Sequence, residues 1–332
     1  MEPASCCHPA TTGRFRRCVV TGAAGFIGSQ LCQQLARLGW SVIGVDAFTD
    51  SYDPAEKRLR AAQLSQLAGV SLIQGDLVEL DLMPIMDGVE VVFHLAGRAG
   101  VRASFSLGDR YIHDNVTATE LVVSASRAAG VRRLVYASSS SVYGDGEAPF
   151  REDAHPAPIS PYGRSKLEAE RCCLAAATQG LETVALRYFT VYGPGQRPDM
   201  GLRIFAEAAL RRQPITLLGD GSQRRDFTYV TDIVAATIAA ADAPVSGIAI
   251  NVGGGSSVSL LDVLDLLRSF TAHELDVNIE PFARGDVRVT AADLSRARSL
   301  LGFVAEVPLE VGFEREVAWV RDRLEATEAR SA

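Results

Sequence analysis

The stretch from Arg17 to Asp46 constrains the fold of this chain more than any other. Arg17 to Thr21 is a short apolar run of strand type, followed at once by Gly22-Ala23-Ala24-Gly25-Phe26-Ile27-Gly28. Residues 29–38 read as a helix that stops at Gly39, a natural position for the left-handed residue after a helix. A second strand, 41–45, runs straight into Asp46, eighteen residues past Gly28. Strand, glycine turn, helix, strand and acid, in this order, are the context in which a glycine-rich turn cradles a dinucleotide. Gly22, Gly25 and Gly28, with Phe26 and Ile27 in the same turn, bring backbone close to a diphosphate at the positive end of a helix. Asp46 suits both hydroxyls of an adenosine ribose and repels a 2′-phosphate, and Ala47 and Phe48 bring no compensating cation. NAD rather than NADP is the expected cofactor.

Further strands are expected at Val70–Gln74, 89–95, 134–137, Glu182–Tyr188 and 247–252. Helices alternate with them, notably 115–129, which ends at Gly130. That alternation predicts an α/β fold built on a doubly wound parallel sheet. Asp76 and Leu77 lie just beyond one strand, within reach of an adenine, and Leu95 and Ala96 lie beyond the next, where small residues allow a cofactor to approach. From Tyr188 onward the texture changes to loops rich in Gly and Pro at 189–200, 219–227 and 283–288, with a helix at 203–212. The expected division is a flexible tail over 1–14, a NAD-binding Rossmann domain over 15–189 plus 229–253, and a smaller α/β substrate domain over 190–228 plus 254–325. Arg197, Arg225 and Arg288, with Asp286, fall in those late loops, and guanidinium groups there suit an extended anionic substrate.

Composition excludes several classes. A net charge of −7 gives no electrostatic case for nucleic acid or an anionic membrane surface. No apolar run is long enough to span a bilayer, and residues 1–14 lack the continuous apolar core of a secretory signal. The six cysteines include the pairs Cys6-Cys7 and Cys172-Cys173 but no Cys-x-x-Cys, and the five histidines are scattered. Neither a zinc site nor a disulfide framework is expected, and a reducing cytoplasm is. His94 reads as a hydrogen-bonded residue at a strand end.

Residues 138–166 carry the candidate chemistry. Ser138-Ser139-Ser140-Ser141 leaves a strand end, where open α/β sheets keep their ligands. Downstream, Ser160 can cap a helix whose first residue is Pro161, which places Tyr162 and Lys166 four apart on one face. An ammonium beside a phenol favours the phenolate, so Tyr162 is a candidate general base, with Ser139 sharing the substrate proton. Tyr-x-x-x-Lys alone is a weak signal. The dinucleotide fingerprint upstream is what gives it weight.

Together, Gly22-x-x-Gly25-x-x-Gly28, Asp46, Asp76-Leu77, His94-Leu95-Ala96, the serine run, Tyr162-x-x-x-Lys166, Tyr192-Gly193-Pro194 and Arg225-Asp226-Phe227 resemble the extended short-chain dehydrogenase/reductases of the nucleotide-sugar epimerase and dehydratase group. The resemblance runs from about residue 17 to 320 and implies a UDP-sugar partner, a retained NAD, a homodimer, and contacts to NAD from Tyr162, Lys166 and Tyr188. In related dehydratases an Asp-Glu pair stands at Ser140 and Ser141, and UDP-glucuronate decarboxylases carry Glu at Ser141. Serine at both positions disfavours elimination and leaves reversible oxidation at C4 through a transient 4-keto sugar. Thr190, Arg197-Pro198-Asp199-Met200, Tyr52-Asp53-Pro54 and Gly100-Val101-Arg102 are most similar to UDP-glucuronate 4-epimerases. Arg102, Ser139, Ser140, Ser141, Thr190, Arg197, Arg225, Asp286 and Arg288 are the implied substrate contacts. Thr190, a serine hydroxyl or Arg197 would hold the sugar carboxylate against decarboxylation. The departure is Gly97-Arg98-Ala99, where a smaller apolar run is commoner. The alternatives are a 4-epimerase of a neutral UDP-sugar, a UDP-glucuronate decarboxylase, and a non-catalytic protein that retains NAD.

Overall fold

The computed structural model describes residues 16–331, with side chains to residue 329. The tail expected over 1–14, with Cys6 and Cys7, lies outside the described residues. Strands β1 (Arg17–Thr21), β2 (Ser41–Asp46), β3 (Val70–Gln74), β4 (Val91–His94), β5 (Arg133–Ser139) and β6 (Glu182–Tyr188) alternate with helices. They are followed by β7 (Thr190–Tyr192), β8 (Ile215–Leu218), β9 (Arg224–Tyr229), β10 (Ile248–Val252), β11 (Ser257–Ser259) and β12 (Val277–Glu280).

The main sheet has the order β10-β6-β5-β4-β1-β2-β3, and every pairing in it is parallel. Its strands are apolar almost throughout because helices cover both faces. Cys18, Val20, Phe93 and Val135 pack on one side with the helices Phe26–Arg37 and Val230–Ala240. Val19, Val92, Leu134 and Tyr136 pack on the other with Ala118–Ala128 and Pro161–Ala175. The chain order reverses at β1, which pairs with both β2 and β4, and the crevice beyond the strand ends there is where such sheets bind ligands.

Boundaries differ from expectation at informative places. The first helix starts at Phe26 instead of residue 29, because Gly25 takes the extended N-cap conformation and turns the glycine loop directly into helix. The helix expected over 115–129 begins at Gly108 and passes through a π-helical stretch, Ile112–Thr117, that buries Asn115. β5 runs on to Ser139, so Ser138 and Ser139 are strand residues and the turn starts at Ser140.

The remaining segments build a second core around Tyr192, Phe205, Leu264 and Phe313. Here β7, β9 and β11 form one small sheet, and β8 pairs with β12. Residues 219–227 were expected as a loop, yet Arg224, Arg225 and Asp226 lie in β9, between β7 and β11. The two regions meet at Glu56, whose carboxylate receives Arg60 at 3.1 Å, Arg203 at 2.7 Å and Arg323 at 3.0 Å.

Candidate active site

A cavity of about 1020 Å³ opens at the crevice. One end is made by backbone. Gly22 has φ +69°, and a methyl group there would stand 2.9 Å from the Ala96 nitrogen. At Gly28 it would stand 2.1 Å from the Gly22 oxygen, so neither position admits a side chain. The helix that follows has no side-chain cap and no acid in its first turn, so its N–H groups and positive end serve the cavity. Asp46 accepts from the N–H groups of Ala24 at 3.0 Å and Phe48 at 2.8 Å, which fixes its carboxylate at the rim. Asp76 accepts from Val78 N–H at 2.9 Å, and Leu77 is buried beside it. Leu95, Ala96 and Tyr188 complete this part of the lining. A bare helix N-terminus over a glycine turn, with an acid ending the second strand, fits a dinucleotide without a 2′-phosphate.

At the centre, Ser139 ends β5 and its hydroxyl accepts from Ser141 N–H at 3.1 Å. Ser160 caps the next helix by accepting from Gly163 N–H at 3.0 Å, and Pro161 opens it. Tyr162 and Lys166 therefore both reach the cavity, with Ser139, Ser140 and Ser141 opposite. Burial pushes the Tyr162 phenol up, while the Ser139 hydroxyl and the Arg197 charge pull it down. Lys166 was expected to be the group that lowers the phenol. In the structure burial lowers its own ammonium to about 8, against the raising charges of Cys173 and Glu170, and it lies beside the Tyr136 ring at 4.4 Å.

A buried polar chain that the sequence did not announce supports this centre. Ser138 donates to Glu170 at 2.5 Å, and Glu170 takes Arg187 at 2.6 and 3.0 Å. Arg187 donates to Tyr143, which donates to Asn251 at 2.6 Å. Glu170 follows Lys166 by four residues on the same helix, so an acid on a buried helical face was the available signal. Asn115 was also missed: it accepts from Arg98 N–H at 2.6 Å and donates to Ser165 at 2.8 Å. His94 sits between the hydroxyls of Thr21 and Thr119, at 2.7 and 2.9 Å. Burial and the Lys166 charge hold it near 3, hence neutral.

At the far end, Thr190, Arg225 and Asp286 line the cavity, and Arg102 stands exposed at its rim. Arg197 also lines it, and the Nε and Nη2 edge of its guanidinium donates to Asp199, at 2.9 and 2.5 Å. Arg225 donates to the backbone oxygen of Arg224 at 2.9 Å. Arg288 was expected beside the substrate, but its side chain is exposed and outside the lining. Its carbonyl accepts from Arg224 N–H at 2.8 Å, so pairing along β9 uses its backbone and leaves the guanidinium to solvent.

Among the described residues no group of three or more His, Cys, Asp or Glu is placed to hold a metal ion, and no helix is long and apolar enough to cross a membrane. Cys18, Cys32, Cys172 and Cys173 are free.

Comparison with known proteins agrees with this geometry. The profile of the NAD dependent epimerase/dehydratase family matches residues 18–253. A UDP-glucuronate 4-epimerase of Thermodesulfobacterium geofontis is 37% identical over 316 residues, covering 92% of this chain and 97% of that protein. The crystal structure of UDP-glucuronic acid 4-epimerase from Bacillus cereus with UDP-glucuronic acid and NAD superposes with a TM-score of 0.89 at 35% identity, over 92% of this chain and 99% of that one. MoeE5 in complex with UDP-glucuronic acid and NAD gives 0.85 at 41% identity, over 92% and 99%. With its glycine turn, Asp46 and the Tyr162–Lys166 pair gathered on one cavity, the chain belongs to the NAD-dependent epimerase/dehydratase family.

Proposed function

We propose that this protein epimerises UDP-glucuronate at C4, giving UDP-galacturonate without loss of carbon dioxide. The observation that carries the reading is the serine run: beside Tyr162 the cavity wall presents three hydroxyls, and no carboxylate at the positions where elimination needs an acid and a base. Tyr162 takes the proton from the C4 hydroxyl and later returns it, and Ser139 holds the same oxygen. Lys166 favours the phenolate at the moment of transfer and contacts the cofactor. NAD, held by the glycine turn and Asp46, supplies the hydride acceptor and donor. The cavity exceeds the roughly 300–1,000 Å³ usual for a single ligand, as a site for both NAD and a UDP-sugar requires.

In this reading residues 15–189 plus 229–253 hold the cofactor, and 190–228 plus 254–325 hold the UDP-sugar. Thr190 with Ser140 and Ser141 orients the sugar carboxylate so that the C5–C6 bond does not align with the C4 carbonyl. The free cysteines suit a reducing cytoplasm. Exposed Ile112 and Leu121, on the helical stretch through 108–128, suit a homodimer that sedimentation will test. A second reading has one observation behind it: with Arg197 occupied by Asp199, a neutral sugar meets no unpaired cation from that loop.

Incubation with UDP-glucuronate, followed by separation of nucleotide sugars, decides between them. UDP-galacturonate as the product supports the proposal. UDP-pentose would make the protein a decarboxylase, and turnover of UDP-glucose or UDP-N-acetylglucosamine alone would favour the neutral sugar.

A further inference from the structure

Arg98 stands where the wall of the cavity passes from the Leu95-Ala96-Gly97 turn to the rim. Its backbone is locked: Asn115 accepts its N–H at 2.6 Å and donates to its carbonyl at 3.0 Å. Its side chain is only 6% exposed. Nε donates to Asp114 at 2.7 Å, but Nη2 donates to nothing. Among the described residues it is the one buried side-chain nitrogen left without a hydrogen bond. Asp50 comes within 3.7 Å of it, too far for a hydrogen bond, and is itself mostly in solvent.

Three other cations of this wall and its surroundings have partners. Lys57 donates to Thr49 at 2.9 Å, Arg197 to Asp199, and Arg60 to Glu56 and Tyr52. A buried guanidinium N–H without an acceptor is costly, and the acceptor that matches its charge is an anion. Position says which anion. The turn before Arg98 packs on Gly22, and the space beside Gly97 is 3.9 Å from the Lys166 nitrogen. Asp50 follows Asp46 by four residues. Arg98 thus bridges the Asp46 loop and the Tyr162–Lys166 centre, the two ends between which a dinucleotide must run. The part that runs between them is the diphosphate.

We propose that Arg98 is a cofactor clamp, its free Nη2 donating to the diphosphate of bound NAD, with Asp114 holding the guanidinium in place. The inference rests on the NAD site described above and extends it to a residue outside the glycine turn. It gives a physical reason for retention: the hydride must return from the same cofactor molecule, so NAD has to outlast the keto sugar in the cavity.

The test is exchange of bound NAD for fluorescent etheno-NAD in the full chain, which needs no turnover. Arg98→Met should exchange about ten- to a hundredfold faster than wild type, the range for losing one charge-assisted hydrogen bond. Arg98→Lys should fall between the two. UDP-glucuronate affinity of NAD-saturated Arg98→Met, by calorimetry, should stay within about twofold of wild type, since Arg225 and Asp286 lie in the other region. Asp114→Asn keeps Nη2 and should exchange NAD far more slowly than Arg98→Met. Thermal unfolding in saturating NAD shows that each variant is folded. Unchanged NAD exchange with weakened UDP-glucuronate would move Arg98 to the sugar nucleotide and overturn the proposal. Unchanged exchange and unchanged sugar binding, or equal acceleration in Asp114→Asn, would reduce Arg98 to an internal ion pair. A failure of the NAD site itself is separable: wild-type protein would neither carry NAD nor take up etheno-NAD.

Discussion

The cofactor end and the sugar end of this cavity are built by opposite means. At the cofactor end the working groups are backbone N–H groups, one acid and side chains buried in or beside a parallel sheet. Its backbone admits no side chain at Gly22 or Gly28, which have no room for a single carbon. At the sugar end the working groups include long cations on a short strand and a loop, and two of them have partners: Arg197 has Asp199 and Arg225 has backbone. The first arrangement fixes chemistry rigidly. The second meets the chemistry at one point, because the Arg197 charge helps pull the Tyr162 phenol down. Substitutions on either side test that contrast.

The largest effect belongs to Tyr162→Phe. The ring stays and the ionisable oxygen goes, so turnover should fall by about a hundredfold to ten thousandfold, the range for a general acid–base group. Bound NAD and UDP-sugar affinity should persist. Turnover near wild type would remove Tyr162 from the reaction and break the claim that chemistry resides at the cofactor end.

The same contrast explains what was legible in the sequence. Gly22, Gly25, Gly28 and Asp46 could be placed because a glycine turn between two strands has few structural solutions, and because 3.6- and 2-residue periods run long enough there to read. Tyr162 and Lys166 followed from a capped helix. β7 and β11 have three residues each, too few to show a period, and β9 was read as a loop because two arginines open it. Arg288 could not be told from Arg225 by sequence, since strand pairing alone decides which one faces solvent. Glu170 and Asn115 were missed for a different reason. Their role exists only across elements, between a helix and residues 17 or more positions away.

Glu56 joins the two ends, and its loss is next in size. Burial would raise its carboxyl, yet Arg203, Arg323 and Arg60 outweigh that and hold it below the usual range. Glu56→Gln leaves three guanidinium groups without their shared charge, at a cost of about 3–5 kcal/mol. The melting temperature at pH 7 should drop by several degrees. Because the native carboxyl titrates below its unfolded value, the difference from wild type is full above the unfolded value and shrinks as pH falls through the native one. A pH-independent difference would mean that the charge is irrelevant and packing alone joins the regions.

Lys166 sharpens the account of the cofactor end. Its ammonium is lowered to about 8 in the folded protein against 10.5 for the free group, so the folded state disfavours the proton. Below pH 8 that is a standing cost, on the order of 3 kcal/mol, and it is relieved as pH rises from 8 toward 10.5. NAD-free Lys166→Met should therefore melt higher than wild type at pH 7, with the gain fading by about pH 10. Activity should fall although stability rises. A variant less stable at pH 7 would show that the ammonium is satisfied in the absence of NAD.

The smallest effect is expected at the sugar end, from Arg197→Ala, and it bears directly on which substrate the protein takes. If UDP-glucuronate drew Arg197 away from Asp199, the substitution would harm that sugar alone and leak UDP-pentose as the carboxylate lost its orientation. The bidentate contact at 2.9 and 2.5 Å argues that the pair stays closed, since opening it would leave Asp199 without its partner beside the substrate. Arg197 then acts at a distance, as one of the two groups that pull the Tyr162 phenol down. A charge that acts on the phenol without contacting substrate is the mildest of these perturbations. The expected result is a small loss shared by UDP-glucuronate and any neutral UDP-sugar turned over, an upward shift of the pH–rate profile, and no pentose. Asp199→Ala supplies the opposite perturbation. With Arg197 released, UDP-glucuronate should bind more tightly while UDP-glucose does not. A selective loss in Arg197→Ala would show that the pair opens for the substrate, and no gain in Asp199→Ala would show that the released Arg197 does not read the sugar carboxylate.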